Sequence, residues 1–326
     1  ALIKSRLDAL SNGGNGSFAK QIGEHLKKIE IGQPVHSHSL SLFPLLGSWE
    51  EKSRYVLLEE GLAAGTVAVT ETSEAGQVPY LLLRNDGDLP VLLPEGAILK
   101  GEKQNRVINT TILVAAKSVF TVPVSCVEQG RWHRSRHGFQ ADSHAPSSLR
   151  SKKMRAVQES RAFRGTAESN QSEVWREVAF AMDSLNVRSN TGSMSDAYER
   201  RRVDLDVLRR NLTPPPQALG VVMCRNNRIV GMDLFDSSQT FSKVWPRLAD
   251  GYLIEALNDA PCDQAVNASS VESFLSDIPQ FSRRADPTLG IGTEFNIQGN
   301  QMVGTGVLYE EAVCHLCAFA GSASGL

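Results

Sequence analysis

Four consecutive hydrogen-bonding side chains, Lys103-Gln104-Asn105-Arg106, are the densest run of polar chemistry in this 326-residue chain. Two cations and two carboxamides in a row cannot all face a core. Together they match phosphates and ribose hydroxyls, and the arginine fork adds bidentate recognition of an anion. Asn109 follows them and Glu95 precedes them, while a second polar block, Ser125-Cys-Val-Glu-Gln-Gly-Arg-Trp132, brings Glu128, Arg131 and Trp132. Glu128 and Glu95 are the candidate catalytic residues, because a general base needs an ionisable group within reach of the substrate. Lys103, Gln104, Asn105, Arg106, Asn109, Arg131 and Trp132 are the candidate substrate-binding residues. The competing reading of Lys-Gln-Asn-Arg is a solvated turn. Gly96 and Gly101 favour a site, since glycine lets the backbone turn tightly or approach a ligand. The run lacks the Gly-x-x-x-x-Gly-Lys-Ser/Thr spacing of a phosphate-binding loop.

Other reactive residue types are scattered. Alternation of Phe120, Val122, Val124 and Cys126 makes Cys126 a small core residue; the rival is a thiolate activated by Arg131 or a nearby His. His133 and His137 are four apart, yet their segment has no apolar helical pattern to make them a metal pair. His36 and His38 share a strand face. Cys314-His-Leu-Cys317 falls in an alternating strand, where residues three apart point to opposite faces, and no second Cys pair completes a zinc site. No metal set is expected and no cofactor is specified. Asp233 and Asp236 end a strand before a helix, where Asp236 or Ser237 as a cap is the commoner outcome. Tyr198 with Arg200, Arg201 and Arg202 reads either as an anionic pocket or as a solvated helical face with one buried ring.

The elements that must position these residues follow from periodicity. Residues 1–32 read as a helical segment broken at Asn12-Gly-Gly-Asn-Gly16. Residues 33–140 alternate with period two and form a β-rich domain carrying the site, with a hairpin predicted across Asn85-Asp-Gly-Asp88. Residues 141–171 read as a basic flexible linker. Nine Lys/Arg against two acids lie between Arg131 and Arg164, so an anion-binding arm is the alternative. Residues 172–326 read as an α+β domain, opened by the capping-box spacing Asn170-Gln-Ser-Glu173 and carrying hairpins at Asn226-Asn227 and Gly299-Asn300. The fold class expected is α+β: an N-terminal antiparallel β-sandwich or barrel-like part, then a mixed helix and antiparallel-sheet part.

Composition narrows the partners. Lys+Arg 34 against Asp+Glu 36 leaves a net charge of −2, so there is no global pull on nucleic acid, which is not expected as a partner. No apolar run approaches the ~18 residues that span a bilayer, and the first residues lack a secretory apolar region. Five cysteines, an odd and sparse set, suit reduced thiols in a cytoplasmic protein. The expected partner is a small nucleotide-like ligand.

Several of these blocks also resemble a known family. Glu95-Gly, Lys103-Gln-Asn-Arg106, Asn109, Pro123-Val-Ser-Cys-Val-Glu-Gln-Gly-Arg-Trp132, Ala197-Tyr-Glu199 and Val230-Gly-Met-Asp-Leu-Phe-Asp236 are similar to the ARG- and rhodanese-phosphatase-superfamily-associated protein domain family, ARG standing for ADP-ribosylglycohydrolase. The resemblance runs from about Tyr55 onward. It implies an enzyme acting on an ADP-ribose, NAD-derived or related nucleotide, a hydrolase or a transferase, and it carries over no catalytic residue. The alternative is a non-catalytic nucleotide-sensing or protein-interaction module. The chain departs from the family pattern at Pro94-Glu-Gly-Ala-Ile-Leu99, where Ala97 stands in place of a second Glu.

Overall fold

The computed structural model describes residues 17–47, 54–73, 76–133, 138–262 and 266–321. Short strands dominate the first part: α1 (Ser17–Leu26), β1 (Glu30–Ile31), β2 (Val35–Ser37), β3 (Leu40–Leu46), β4 (Val56–Leu57), α2 (Leu58–Ala63), β5 (Val67–Glu71), β6 (Tyr80–Asn85) and β7 (Val91–Leu93). They continue as β8 (Ala97–Gly101), β9 (Arg106–Ile108), β10 (Ile112–Val114), β11 (Ser118–Cys126) and β12 (Phe139–His144). Four helices follow: α3 (Ser147–Arg164), α4 (Gln171–Ser184), α5 (Met194–Arg200) and α6 (Arg202–Asn211). Then come β13 (Ala218–Arg225), β14 (Arg228–Phe235), α7 (Ser238–Leu253), α8 (Ala268–Phe281), β15 (Ser282–Arg284), β16 (Thr293–Gly299), β17 (Met302–Tyr309) and β18 (Ala312–Ala320).

The strands form three sheets, and the fold is α+β, as the sequence predicts. A six-stranded antiparallel sheet runs β12-β8-β9-β11-β6-β5, and a small sheet runs β10-β7-β4. Period-two side chains of the first (Leu81, Leu83, Val122, Val124) share one core with Val91, Leu93, Ile112 and Val114 of the second. The third sheet has nine strands, in the order β1-β3-β13-β14-β18-β17-β16-β15 with β2 on β3. Its alternation feeds two cores. Val222, Leu234, Phe295 and Ile297 meet α1 and α8 on one side. Val221, Met223, Phe235 and Phe319 meet α7 on the other. Fully burying one such side chain is worth about 1.5–3 kcal/mol.

Local signals explain most boundaries. The Asn170 side chain accepts from the Glu173 N–H to start α4, and Ser237 accepts from the Thr240 N–H to start α7. Asn226 and Asn227 take φ of 48° and 59° in the β13–β14 hairpin, the left-handed pair that a two-residue turn requires. Gly299 pairs with Met302 in the β16–β17 hairpin.

Three expectations change. The hairpin across Asn85-Asp-Gly-Asp88 does not form, because β6 pairs with β5 and β11 whereas β7 pairs with β10 and β4. The basic flexible linker gives way over most of its length to α3, an 18-residue helix in which Arg150, Lys153 and Arg161 are buried. Those cations are matched by Glu95, Asp233 and Glu294 from elsewhere in the chain, and sequence-local charge cannot reveal such partners. The 33–140 and 172–326 division is also crossed, because β3 pairs along seven residues with β13. The first helical segment is seen from Ser17; its residues 1–16 lie outside the described residues.

Candidate functional site

Antiparallel pairing brings the two polar blocks together. Cys126 at the end of β11 lies opposite Arg106 at the start of β9. The turn preceding β9 and the segment following β11 therefore leave the six-stranded sheet at one edge. β5 runs antiparallel to β6, which runs antiparallel to β11, so Glu71 at the end of β5 arrives there too. Gly101 closes β8 just before the turn with φ of 152°, and a Cβ there would lie 2.3 Å from the Gly138 carbonyl oxygen. Only glycine fits that approach.

Glu128 sits at the centre of one cluster. Its Oε1 accepts from Arg131 Nε at 2.9 Å and Thr191 Oγ1 at 2.8 Å. Its Oε2 accepts from Arg131 Nη2 at 2.6 Å and the Asn105 N–H at 3.0 Å. Burial alone would raise this carboxyl, but the donors outweigh it and hold the group below the usual carboxylate range. Asn105 locks the turn in place: its Nδ2 donates to the Ser193 and Ser195 hydroxyls, and its Oδ1 accepts from the Gly101 N–H and from Arg131. Glu128 is thus an ion-pair anchor, with both oxygens engaged.

Arg106 lies beside it, fully buried. Its Nη1 donates to Gln104 Oε1 at 3.2 Å and lies 3.2 Å from Cys126 Sγ, while Nη2 is 3.5 Å from Glu71 Oε1. Trp132, 46% exposed, lies with its ring centroid 5.4 Å from Lys103 Nζ and 5.7 Å from Arg106 Cζ, within cation–π range. Cys126 is buried and donates to Gln104 Oε1, and burial raises its thiol. That is the reverse of an activated nucleophile.

Glu95 and Asn109 belong to a different, sealed cluster. Glu95 accepts from Lys153 at 2.7 Å and from Arg150 Nε at 2.8 Å. Arg150 also forks onto Asp233 at 2.9 and 2.8 Å, and Lys153 donates to the Ile108 and Asn109 carbonyls. Burial pushes Glu95 up, but Lys153 and Arg150 hold it below its ordinary value. Gly96, with φ of 83°, makes room for this: a Cβ there would lie 2.6 Å from Arg150 Nε. The Asn109 side chain donates to the Ala167 carbonyl and accepts from Ser125. Asp233, His315 and Cys317 place three metal-type ligand atoms within 4.8 Å of one another. Arg150 occupies both Asp233 oxygens, however, and His315 is hydrogen-bonded to Asp233 and to Thr111.

The sequence-predicted residues therefore divide. Lys103, Gln104, Asn105, Arg106, Glu128, Arg131 and Trp132 gather at one sheet edge, whereas Glu95 and Asn109 stand in the interior network. Glu71 was missed. The signal for it was present in Val67, Val69 and Glu71, an acid continuing the inward alternation of a strand. A register shift beside His315 places Cys314 and Cys317 in the same core, where strict alternation predicted divergence; both are free and buried. His133 is exposed, and His137 lies outside the described residues. Tyr198 is buried and donates to the His144 carbonyl. Asp236 is held by the Tyr55 hydroxyl, and burial raises its carboxyl to about 6. An open cleft of about 1490 Å³ between the Asn226 and Asn300 turns is lined by none of the predicted site residues.

The class defined by this geometry is an α+β protein with a cation- and carboxamide-rich cluster at one edge of an antiparallel sheet. The chain belongs to the ARG and Rhodanese-Phosphatase-superfamily-associated Protein domain family, whose model matches residues 28–319. No curated protein and no solved structure matches it. Among the described residues, no helix is long and apolar enough to cross a membrane.

Proposed function

We propose that the edge formed by Lys103, Arg106 and Trp132 binds a nucleotide-like ligand of the ADP-ribose or NAD-derived class. The observation that carries this reading is the half-exposed Trp132 ring set beside Lys103 Nζ and above Arg106. A base can stack on the open face of an indole while the partly exposed Lys103 ammonium takes a phosphate and the buried Arg106 backs the ring from within. The family's association with ADP-ribosylglycohydrolase proteins favours the same ligand class. General-base hydrolysis by Glu128 or Glu95 would require that carboxylate to be free to accept a proton. Arg131, Asn105 and Thr191 fill Glu128, and Lys153 and Arg150 fill Glu95. Recognition without turnover at those two residues is therefore the better-supported reading.

Calorimetric titration of the full chain with ADP-ribose, NAD, ADP and AMP tests it. Binding is expected, and Trp132→Ala should weaken it by about 1–3 kcal/mol, the usual worth of one stacked base. Absence of binding across the panel by a folded protein overturns the reading. Chromatography of the same mixtures, with and without divalent cations, reports turnover. Product formation that Glu128→Gln abolishes would restore the hydrolytic assignment.

A further inference from the structure

The open cleft between the Asn226 and Asn300 turns stands apart from the Lys103–Trp132 edge, and an unfinished strand ladder runs along it. Its volume is about 1490 Å³, above the roughly 300–1,000 Å³ of small-molecule pockets. In the nine-stranded sheet β18 lies between β14 and β17. Its pairing with β14 ends at Phe319 and Gly231. Continued in that register, Gly321 would meet Ile229, but the Gly321 N–H donates instead to the Gln301 carbonyl at 2.6 Å. The chain has bent toward β17 and left β14. Arg225 and Arg228 pair across the two-residue Asn226-Asn227 turn, so Ile229, next along, turns its N–H and C=O to the side that β18 has left. A short length of strand edge is open to solvent there, bordered by the half-buried side chains of Ile229 and Val230.

The walls fit an occupant that is itself a strand. One face of α8 lines the cleft with Asn267, Ser270, Phe274, Asp277 and Phe281, at the three- and four-residue spacing of a single helical stripe. The β16–β17 turn adds Gln298, Asn300 and Gln301. Carboxamides both donate and accept, as a peptide group does. Three cations line the cleft, but Glu177 holds Lys152 and Asp259 holds Arg225. Arg228 is exposed, and among the described residues no carboxylate pairs with it. Water hydrates the open edge in the free protein. It satisfies the backbone groups but covers none of the apolar surface, whereas an extended peptide does both.

We propose that this cleft binds an extended peptide segment that adds beside Ile229 of β14, rests apolar side chains on Ile229, Val230 and Phe281, and sets an acidic residue at Arg228. Main-chain bonds to the strand edge supply affinity in this mode, and the side-chain contacts supply specificity. The inference is independent of the nucleotide reading, because the cleft shares no residue with the Lys103–Trp132 edge.

The test pans a displayed library of random heptapeptides on the full chain, with Ser270→Trp as the counter-selection. Ser270 is exposed on the cleft wall, so an indole there obstructs the cleft without disturbing the core. Retained sequences should combine apolar residues with Asp or Glu. The best of them, synthesised with blocked ends, should slow hydrogen exchange at the Ile229 amide of the wild type. Its affinity should fall about two- to fivefold in Arg228→Glu, the range of an exposed ion pair. Circular dichroism confirms that both variants fold. No enrichment over Ser270→Trp overturns the proposal, as does equal binding to the wild type and both variants. Exchange protection at the Lys103–Trp132 edge and not at Ile229 also overturns it. Protection of Ile229 by ADP, with no peptide enriched, would assign the cleft to a small ligand and overturn it too. The exchange measurement needs no variant to fold.

Discussion

Replacing Glu128 by glutamine preserves its shape and removes its charge, and the structure dictates where the loss falls. Four donors converge on two oxygens: Arg131 Nε, Arg131 Nη2, the Asn105 N–H and Thr191 Oγ1. A carboxamide keeps one oxygen and turns an NH₂ group toward two of those donors. It also takes the Glu128 charge away from the Arg131 guanidinium, 8% exposed. Breaking a buried pair from one side costs about 3–5 kcal/mol. At roughly 2–4 °C per kcal/mol for chains of this scale, the melting temperature should drop by roughly 6–15 °C. The pH dependence has a fixed sign. A carboxyl held below its unfolded value of about 4.3 adds stability at neutral pH that fades as pH falls through the folded value. The gap between wild type and Glu128→Gln should therefore be full at pH 7 and close below about pH 4. Differential scanning fluorimetry across that range reads both effects. Equal melting temperatures at pH 7, or a gap that persists undiminished at pH 3, would refute the anchor assignment.

Other perturbations probe the interior. Arg150→Met strands Glu95 and Asp233 without their shared cation and should destabilise the protein by about 3–5 kcal/mol, read as a lowered melting temperature; a loss under about 1 kcal/mol would count against the network. Gly96→Ala places a methyl group 2.6 Å from Arg150 Nε at a φ of 83°, so it should also lower the melting temperature, and an unchanged value would show that Arg150 can move aside. Asp236, whose carboxyl burial raises to about 6, contributes stability below its unfolded value near 3.9 that is lost as pH rises through 6, by at most about 3 kcal/mol. Asp236→Asn should flatten that window in a pH series of melting curves, and a slope identical to the wild type would exclude Asp236 as its source.

How much the sequence foretold depends on the range of the interaction. Turns and caps were legible because their cause lies within four residues: Asn226-Asn227 must turn, and Asn170 and Ser237 must cap. The meeting of the Lys103–Arg106 turn with Glu128, Arg131 and Trp132 was also foreseeable, because both blocks flank strands of one β-rich segment. Long-range pairing was not. Asn85-Asp-Gly-Asp88 has hairpin residues, yet β6 finds β11 and β7 finds β10, choices made by distant partners. The 131–164 charge surplus read as solvated because the acids that neutralise it are distant in sequence: Glu95 lies 55 and 58 residues before Arg150 and Lys153, Asp233 83 after Arg150, and Glu294 133 after Arg161. Glu95 misled for the same reason: its neighbours in sequence suggested a loop, while its partners come from α3.

The placement of β3 has a practical bearing on shortened forms of the chain. Residues 40–46 lie between β1 and β2 on one side and β13 on the other, so a fragment beginning after them would present the hydrogen-bonding groups of β13 bare along a nearly fully buried strand. A long apolar ladder of that kind invites a strand from another molecule. Such a fragment should self-associate, and material meant for binding work should retain β1, which begins at Glu30, two residues inside the stretch matched by the family.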